Sequence, residues 1–400
     1  MQLKLLNFHK MLANFSTSLV GGFIPLIIYK NTQSLFWALF YLFAMYIVNF
    51  AFNQIFRKQF IKRPQLFLVL RAIPILIYSL AVLLIDVSFI WGVIIVAFFY
   101  AANLSFRSNS TEIILNYSVS QNTDSKSFGL TRVFEQLGTI VAQIAGGLFL
   151  DYLNTYVLIA LAIGIYLISC IPLLIYYINA HKQKGFNTEM TSNALVQFAQ
   201  NPDKTEKGKK VSNKILFQYG LVYYLVGFLD TFCDIFNIFL YVETGQFAFA
   251  GYFSAIYNTT YAVSSYINGW ISARHDTTIL AAICLMINAC CVVAVSLVNN
   301  VWAQFALFGI IGFAYPYYSL LLIERLLSKT RILGVSNSAI FVRDDVSVLG
   351  KTSCLAVSLF GFMIPTFAVL GTALFSAGVM LPINEESTRK TLINYLEGCD

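Results

Sequence analysis

The sequence predicts an all-α membrane protein: twelve transmembrane helices in two pseudo-symmetric six-helix bundles, with N- and C-termini cytoplasmic. Three observations predict it. Apolar residues gather in long blocks, basic residues keep to alternate connections, and a repeat matches the first half to the second. Of 400 residues 58% are hydrophobic and 11% charged, where a soluble domain carries about 25% charged residues. A helix needs roughly 20 mostly apolar residues to cross the hydrocarbon core. Twelve such blocks fall at 11–30, 34–55, 66–85, 89–106, 128–150, 155–178, 214–242, 247–272, 277–297, 301–325, 334–360 and 364–382. Barrel strands are excluded, because they are short and alternate apolar with polar residues.

The first block is too long for the apolar region of a signal peptide, and "STSLVGGFIPLIIYK" offers no small-x-small cleavage site. Arg57, Lys58, Lys62 and Arg63 follow the second span. Arg71 lies just inside the third, seven residues past Pro64, where snorkelling to the headgroups would accommodate it. Arg107, Lys126 and Arg132 flank the loop between the fourth and fifth. After the sixth span comes the one long polar connection, 179–213, holding Lys182, Lys184, Lys204, Lys207, Lys209, Lys210 and Lys214. Within it "TSNALVQFAQN" reads either as a surface amphipathic helix or as flexible linker. The opposite side carries only Lys30, beside Asp86, Asp151 and Glu243. Basic residues collect in cytoplasmic loops, so both ends face the cytoplasm, and the net charge of +7 reflects topology rather than a nucleic-acid partner. The organisation is 1–178 as the first bundle, 179–213 as cytoplasmic linker, 214–383 as the second bundle and 384–400 as cytoplasmic tail.

The repeat supports that division. "LIIYKNTQSLFWALFYLFA" (26–44) matches "IFLYVETGQFAFAGYFSAI" (238–256) at an offset of 212 residues, Tyr29 falling on Tyr241 and Thr32 on Thr244. The same offset carries "EQLGT" onto "SVLGK", Gly138 onto Gly350. Duplicated bundles place substrate at the repeat interface near the midplane.

Six plus six spans, cytoplasmic ends and a basic central loop resemble the major facilitator superfamily over essentially the whole chain. In that family the loop after span 2, and its counterpart after span 8, reads G-x-L-x-D-R-x-G-R-R. Here "GWISARHD" keeps Gly269 and Arg274 with Ala273 in place of the acid, and "RKQFIKRP" keeps only basic residues such as Lys62 and Arg63. The antiporter pattern G-x-x-x-G-P-x-x-G-G of span 5 is similar to "GTIVAQIAGG", with Gly138, Gly146 and Gly147 kept and Ala142 and Gln143 substituted. These glycines fit export or simple close helix packing. The resemblance implies a secondary transporter working by alternating access, with spans 1, 4, 7 and 10 around a central cavity.

The seventh span contains "FLDTFCDIFN". Asp230, Asp234 and Asn237 share one helical face, and Asp230 lies about 24 Å from Lys214 and about 20 Å from Glu243 along the axis, near the midplane. A carboxylate there costs roughly 2.5–3.5 kcal/mol unless it meets water, a partner or a proton. Three roles are open: holding a coupling proton or cation, meeting a cationic solute, or pairing with a base to hold the second bundle together. Lys351, about 9–12 Å inside the eleventh span, is the available partner, or else snorkels. Tyr315, Tyr317 and Tyr318 surround Pro316 in "FAYPYYSLLLIE", where proline can bend the helix. Tyr223, Tyr224, Tyr257, Tyr261, Tyr315 and Tyr318 are candidates for the cavity wall, as are Ser16, Thr17, Tyr100 and Asn103 from the first half, against the alternative of ring packing. Arg107, Glu112, Arg132 and Glu135, with Glu324, Arg325, Arg343 and Asp344, form candidate cytoplasmic gates or interfacial anchors.

No P-loop, G-x-S-x-G or H-E-x-x-H occurs, and a membrane-embedded aspartyl enzyme would place its two acids on different helices. The expectation is a non-enzyme without cofactor or metal: a monomer in a bacterial cytoplasmic membrane, with lipids around it, a small-molecule substrate and a proton or monovalent cation as partners. A drug or lysolipid exporter of the same fold, and a sensor or scaffold that moves nothing, are the alternatives. The cysteines lie mostly within spans and read as packing residues.

Overall fold

A computed structural model describes residues 2–120, 125–182, 202–272, 274–298, 300–332, 336–359 and 363–397. Every element among them is an α-helix. The first expected span is two helices, α1 (Gln2–Gly21) and α2 (Ile24–Thr32), parted by a turn at Gly22 and Phe23. Pro25 follows the turn and has no N–H for the carbonyl of Gly21, which favours a break there. α3 (Leu35–Lys62) is continuous. The third span is kinked into α4 (Pro64–Leu70), α5 (Ala72–Ala81) and α6 (Leu84–Val87), where Pro74 cannot bond back to Leu70. The remaining helices are α7 (Phe89–Ser120), α8 (Ser125–Tyr152), α9 (Thr155–Lys182), α10 (Pro202–Thr244), α11 (Phe247–Ser272), α12 (Thr278–Leu297), α13 (Val301–Ile332), α14 (Ser336–Leu359) and α15 (Met363–Glu397).

Nine described stretches are long and apolar enough to cross a membrane. Three of the twelve expected spans fall short of that measure. α11 carries no charge but is rich in Asn, Ser and Thr, and it turns Ser264, Ser265 and Asn268 inward. α14 carries Arg343, Asp344, Asp345 and Lys351. For α15, part of the apolar run lies outside the described side chains. The stretch "TSNALVQFAQN" also lies outside the described residues. α10 begins at Pro202, well before the apolar block, and α15 runs on as helix into the expected tail.

The repeat is visible in backbone geometry. Gln33 ends α2 at φ 52°, and Gly245, its counterpart at the 212-residue offset, ends α10 at φ 69°. Each donates its N–H at 2.7 Å to the matched tyrosine, Gln33 to Tyr29 O and Gly245 to Tyr241 O. A left-handed residue is the usual helix stop, and glycine adopts it without strain. Gly138 of α8 abuts the α1 backbone at Met11 and Phe15, and Gly350 of α14 abuts α10 at Tyr224 and Phe228. A side chain at either glycine would drive into a carbonyl, so each crossing needs its glycine. Tyr224 is 213 positions after Met11, whereas Tyr241 is 212 after Tyr29. The first half therefore holds one extra residue between crossing and loop.

Apolar burial forms two main cores. One lies mainly among α1–α9, the other among α10–α15. The first also takes in Ile235, Ile238, Tyr241, Phe247 and Val348 from the second set, so the sets share a packed surface. Across it α8 packs on α11 and α3 on α14.

Candidate functional site

A cavity of about 510 Å³ lies between the two sets. Gly22 and Pro25 at the α1–α2 break line it, as do Tyr100 of α7 and Gln143 of α8. The second set contributes Asp230, Asp234 and Asn237 from α10, Ser254, Tyr257 and Asn258 from α11, and Lys351 from α14. The helical spacing that puts the α10 residues on one face thus aims them at a polar interior.

The two carboxylates have different partners. Asp230 Oδ2 forms an ion pair with Lys351 Nζ at 3.3 Å, and Tyr315 Oη donates to Asp230 Oδ1 at 2.8 Å. Both partners belong to the second set. Asp234 Oδ2 accepts from Tyr46 Oη of α3, in the first set, at 2.9 Å. The Tyr46 ring also lies 5.1 Å from Lys351 Nζ. Lys351 faces the cavity rather than a headgroup layer. At the repeat offset its ion pair falls on Ser18 and Thr139, whose hydroxyls lie 3.4 Å apart. One half carries charge where the other carries hydroxyls. Asn237 Nδ2 donates to Ser254 Oγ at 2.7 Å.

A profile described as "MFS_1 like family" matches residues 26–246, from the second part of the first span through α10. The chain belongs to the MFS_1 like family. That membership places it in the major facilitator superfamily, a group of multi-pass membrane proteins that are typically transporters rather than enzymes. A comparison with curated proteins gives no match.

Within this MFS_1 like chain several expected wall residues point elsewhere. Thr17 is buried and donates to carbonyls of its own helix, Ala13 O at 3.0 Å and Asn14 O at 3.3 Å, while Ser16 donates to Ala162 O. Asn103 is not on the wall, because its Oδ1 accepts from Arg71 Nε at 2.7 Å. Arg71 itself is 1% exposed and does not snorkel. The kink at Pro74 turns it inward, and Asn103 supplies the acceptor that a guanidinium in an apolar bundle requires. Tyr223 is buried in the second core, and Tyr318 accepts from Asn288 Nδ2 at 2.9 Å. Tyr261 and Tyr315 pack behind the wall with rings 5.7 Å apart and tilted by 43°, and Tyr315 reaches the site through its hydroxyl. Of the expected tyrosines, Tyr100 and Tyr257 do line the cavity. Pro316 leaves α13 continuous, and α11 satisfies carbonyls nearby, Ser264 donating to Phe313 O and Asn268 to Pro316 O.

At the end carrying the N-terminus a chain of charges joins the sets. Lys10 pairs with Glu135 at 3.0 Å, and Glu135 with Arg132 at 2.8 Å. Arg132 approaches Glu112 at 3.6 Å, and Glu112 pairs with Arg343 of α14, which also holds Asp344. Ser108 donates to Asp344 across the same boundary at 3.2 Å. Arg325 pairs with Asp276 at 3.1 Å rather than across the sets, and Glu324 is exposed. Asp276 stands three positions after Ala273, which occupies the place of the acid in the family's loop motif; Ala273 itself lies outside the described residues. Arg107 joins none of these ion pairs. It faces the cavity, donating to Asn14 Oδ1 at 3.3 Å.

At the opposite end the sets meet by different contacts. Asp151, ending α8, accepts from the backbone N–H groups of Phe247 at 3.0 Å and Ala248 at 2.8 Å. It caps α11 across the boundary, satisfying donors that begin a helix unpaired. Tyr29 meets Tyr241 edge-on at 6.1 Å. Sequence reasoning missed Asp151, Tyr46, Lys10 and the bond from Asn258 Nδ2 to Gln143 Oε1 at 2.8 Å. Only Gln143, standing where the family pattern has proline, carried any signal. The glycines of that pattern serve packing: Gly146 meets Leu19 and Phe23, and Gly147 the start of α11.

Proposed function

We propose that this MFS_1 like protein is a secondary active transporter that moves a small organic solute across the cytoplasmic membrane by alternating access. Twelve helices cross the bilayer in this reading, six per bundle, with both termini cytoplasmic. Asp230 and Asp234 hold a coupling proton or monovalent cation. The cavity is the solute chamber, the Glu112–Arg343 link is the cytoplasmic gate, and the Tyr29–Tyr241 and Asp151 contacts close the outer end.

The observation that carries the reading is the division of partners at the carboxylates. Asp234 is held by a tyrosine of the other set, whereas Asp230 is held within its own. When the bundles part beside α3, Asp234 loses its donor and Asp230 keeps its cation. Ion occupancy and bundle position are then linked, as coupling requires.

The test uses proteoliposomes under imposed pH or sodium gradients. Asp230→Asn should abolish gradient-driven accumulation while leaving exchange or binding largely intact. An Asp230→Asn protein that fails to fold, and that folds once Lys351 is also neutralised, would make the pair structural and remove the coupling role.

A further inference from the structure

The charges around the cavity do not cancel locally. Among the described residues Lys351 is paired with Asp230, and Arg132 is paired with Glu135. Arg107 is the cation on the wall with no carboxylate within ion-pair distance among the described residues. Arg107 and the ion-paired chain beside it hold four cations, Lys10, Arg107, Arg132 and Arg343, against three carboxylates, Glu112, Glu135 and Asp344; Glu135 lies within electrostatic reach of Arg107 but is already paired with Lys10 and Arg132. Behind Arg107, one turn earlier on α7, Asn103 holds the buried Arg71, a further guanidinium with no carboxylate in ion-pair reach among the described residues. Farther along the wall Asp230, Asp234 and Lys351 leave one negative charge in excess.

Arg107 is also fixed in place. Asn14 Oδ1 accepts from Arg107 Nη1, and Asn14 Nδ2 is anchored to the backbone oxygen of Glu135 at 3.3 Å. A guanidinium held through one nitrogen keeps its remaining donors in a planar fork that matches a carboxylate or phosphate with two parallel bonds. Inside a protein an uncompensated cation is unfavourable unless water or a counter-charge reaches it. The cavity admits either one.

We infer that the solute is an organic anion, bound through its carboxylate or phosphate by Arg107, and that its charge complements the cation on the aspartate pair. This rests on the transporter reading for its purpose, though the binding site stands by itself. A neutral solute of the same shape would displace water from Arg107 without giving it a partner. Sites built around such a polar group discriminate strongly against analogues lacking the matching one.

The experiment measures thermal stability of the purified full-length protein in detergent, at constant ionic strength. The probes are matched pairs: benzoate with benzamide, gluconate with glucose, and glycerol phosphate with glycerol. Expected is stabilisation by one or more anions and not by their neutral partners, with apparent affinity weakened roughly tenfold or more in Arg107→Gln. The carboxylate and phosphate arms tell which anionic group is preferred. If no anion stabilises the native protein more than Arg107→Gln, or if the neutral partners serve equally well, the assignment is overturned. Should Arg107→Gln not fold, Arg107→Lys takes its place: the charge stays and the fork is lost, so unchanged anion affinity overturns the bidentate site. Binding needs no gradient. A failed flux assay beside Arg107-dependent anion binding removes the transport reading alone, and flux of a neutral solute without anion binding removes this one alone.

Discussion

The hydroxyl of Tyr46 donates to Asp234 across 2.9 Å, joining α3 of the first set to α10 of the second. The same ring lies over the ammonium of Lys351, which is bound to Asp230. Tyr46 thus touches both ends of the half-buried charge group from the opposite side of the cavity.

Tyr46→Phe separates these two contacts. It deletes a hydrogen bond to a carboxylate, a type worth about 1.5–3 kcal/mol before solvent screening, and keeps the ring over Lys351. We predict a folded protein whose gradient-driven uptake falls several-fold relative to solute exchange. Tyr46→Leu, which removes both contacts, should lower the ratio further. Equal ratios in the native protein and both variants would show that Tyr46 has no part in coupling.

The second prediction concerns Glu112 and Arg343. Arg343 is 8% exposed and holds carboxylates on both sides of the boundary between the sets. Glu112→Gln leaves Arg343 with Asp344 alone, and a buried group stripped of one charged partner costs about 1–3 kcal/mol. Melting temperature should fall in either single substitution, and the double variant Glu112→Gln with Arg343→Gln should recover part of the loss, because neither member of that pair then lacks the other, while Asp344, which loses Arg343, keeps the recovery partial. Strictly additive losses in the thermal unfolding of the four proteins would mean that the two groups do not interact.

Asp276 gives a pH-dependent prediction. The Thr278 hydroxyl, the Thr278 N–H and Arg325 hold its carboxyl below the ordinary value of 3.8. A depressed carboxylate stabilises the fold above the unfolded value and loses that contribution as pH falls through the lower, folded value. The native protein should therefore lose this stability only below about pH 4, and Asp276→Asn should lack it at neutral pH. The side chain is 69% exposed, so screening limits the effect to less than about 1 kcal/mol. Melting temperatures of the two proteins measured from neutral to acid pH should converge; a gap that persists to the most acid point would assign the effect to packing.

Much of the fold was legible because hydrophobic runs and loop charge are local properties. The boundaries of α11 and α12 follow their apolar blocks closely, whereas α3 and α13 start with theirs and run seven residues beyond; the repeat matched Tyr29 to Tyr241, and the helix stops that follow them appeared only in the backbone. The kinks of the first and third spans were less legible. Pro25 and Pro74 are visible in the sequence, but whether a proline breaks a helix or is absorbed, as Pro316 is, depends on neighbours that accept or donate in its place. At the site, Asp230, Asp234 and Lys351 stood out as charges in oil. Tyr46 did not, being one of 23 tyrosines, with nothing local to mark it.

The sequence by itself determined the class of the protein and its twofold repeat, since transfer of each segment from water to hydrocarbon is a sum over its own residues. Tertiary structure alone decided the partners. Arg71 turned to Asn103 instead of the headgroups, Arg107 left the gate for the cavity, and Asp234 took its donor from the opposite set. Those choices depend on distances of a few ångströms between helices far apart in the chain, where a hydrogen bond is either made or lost, and no periodicity within one helix encodes which neighbour will stand across from it.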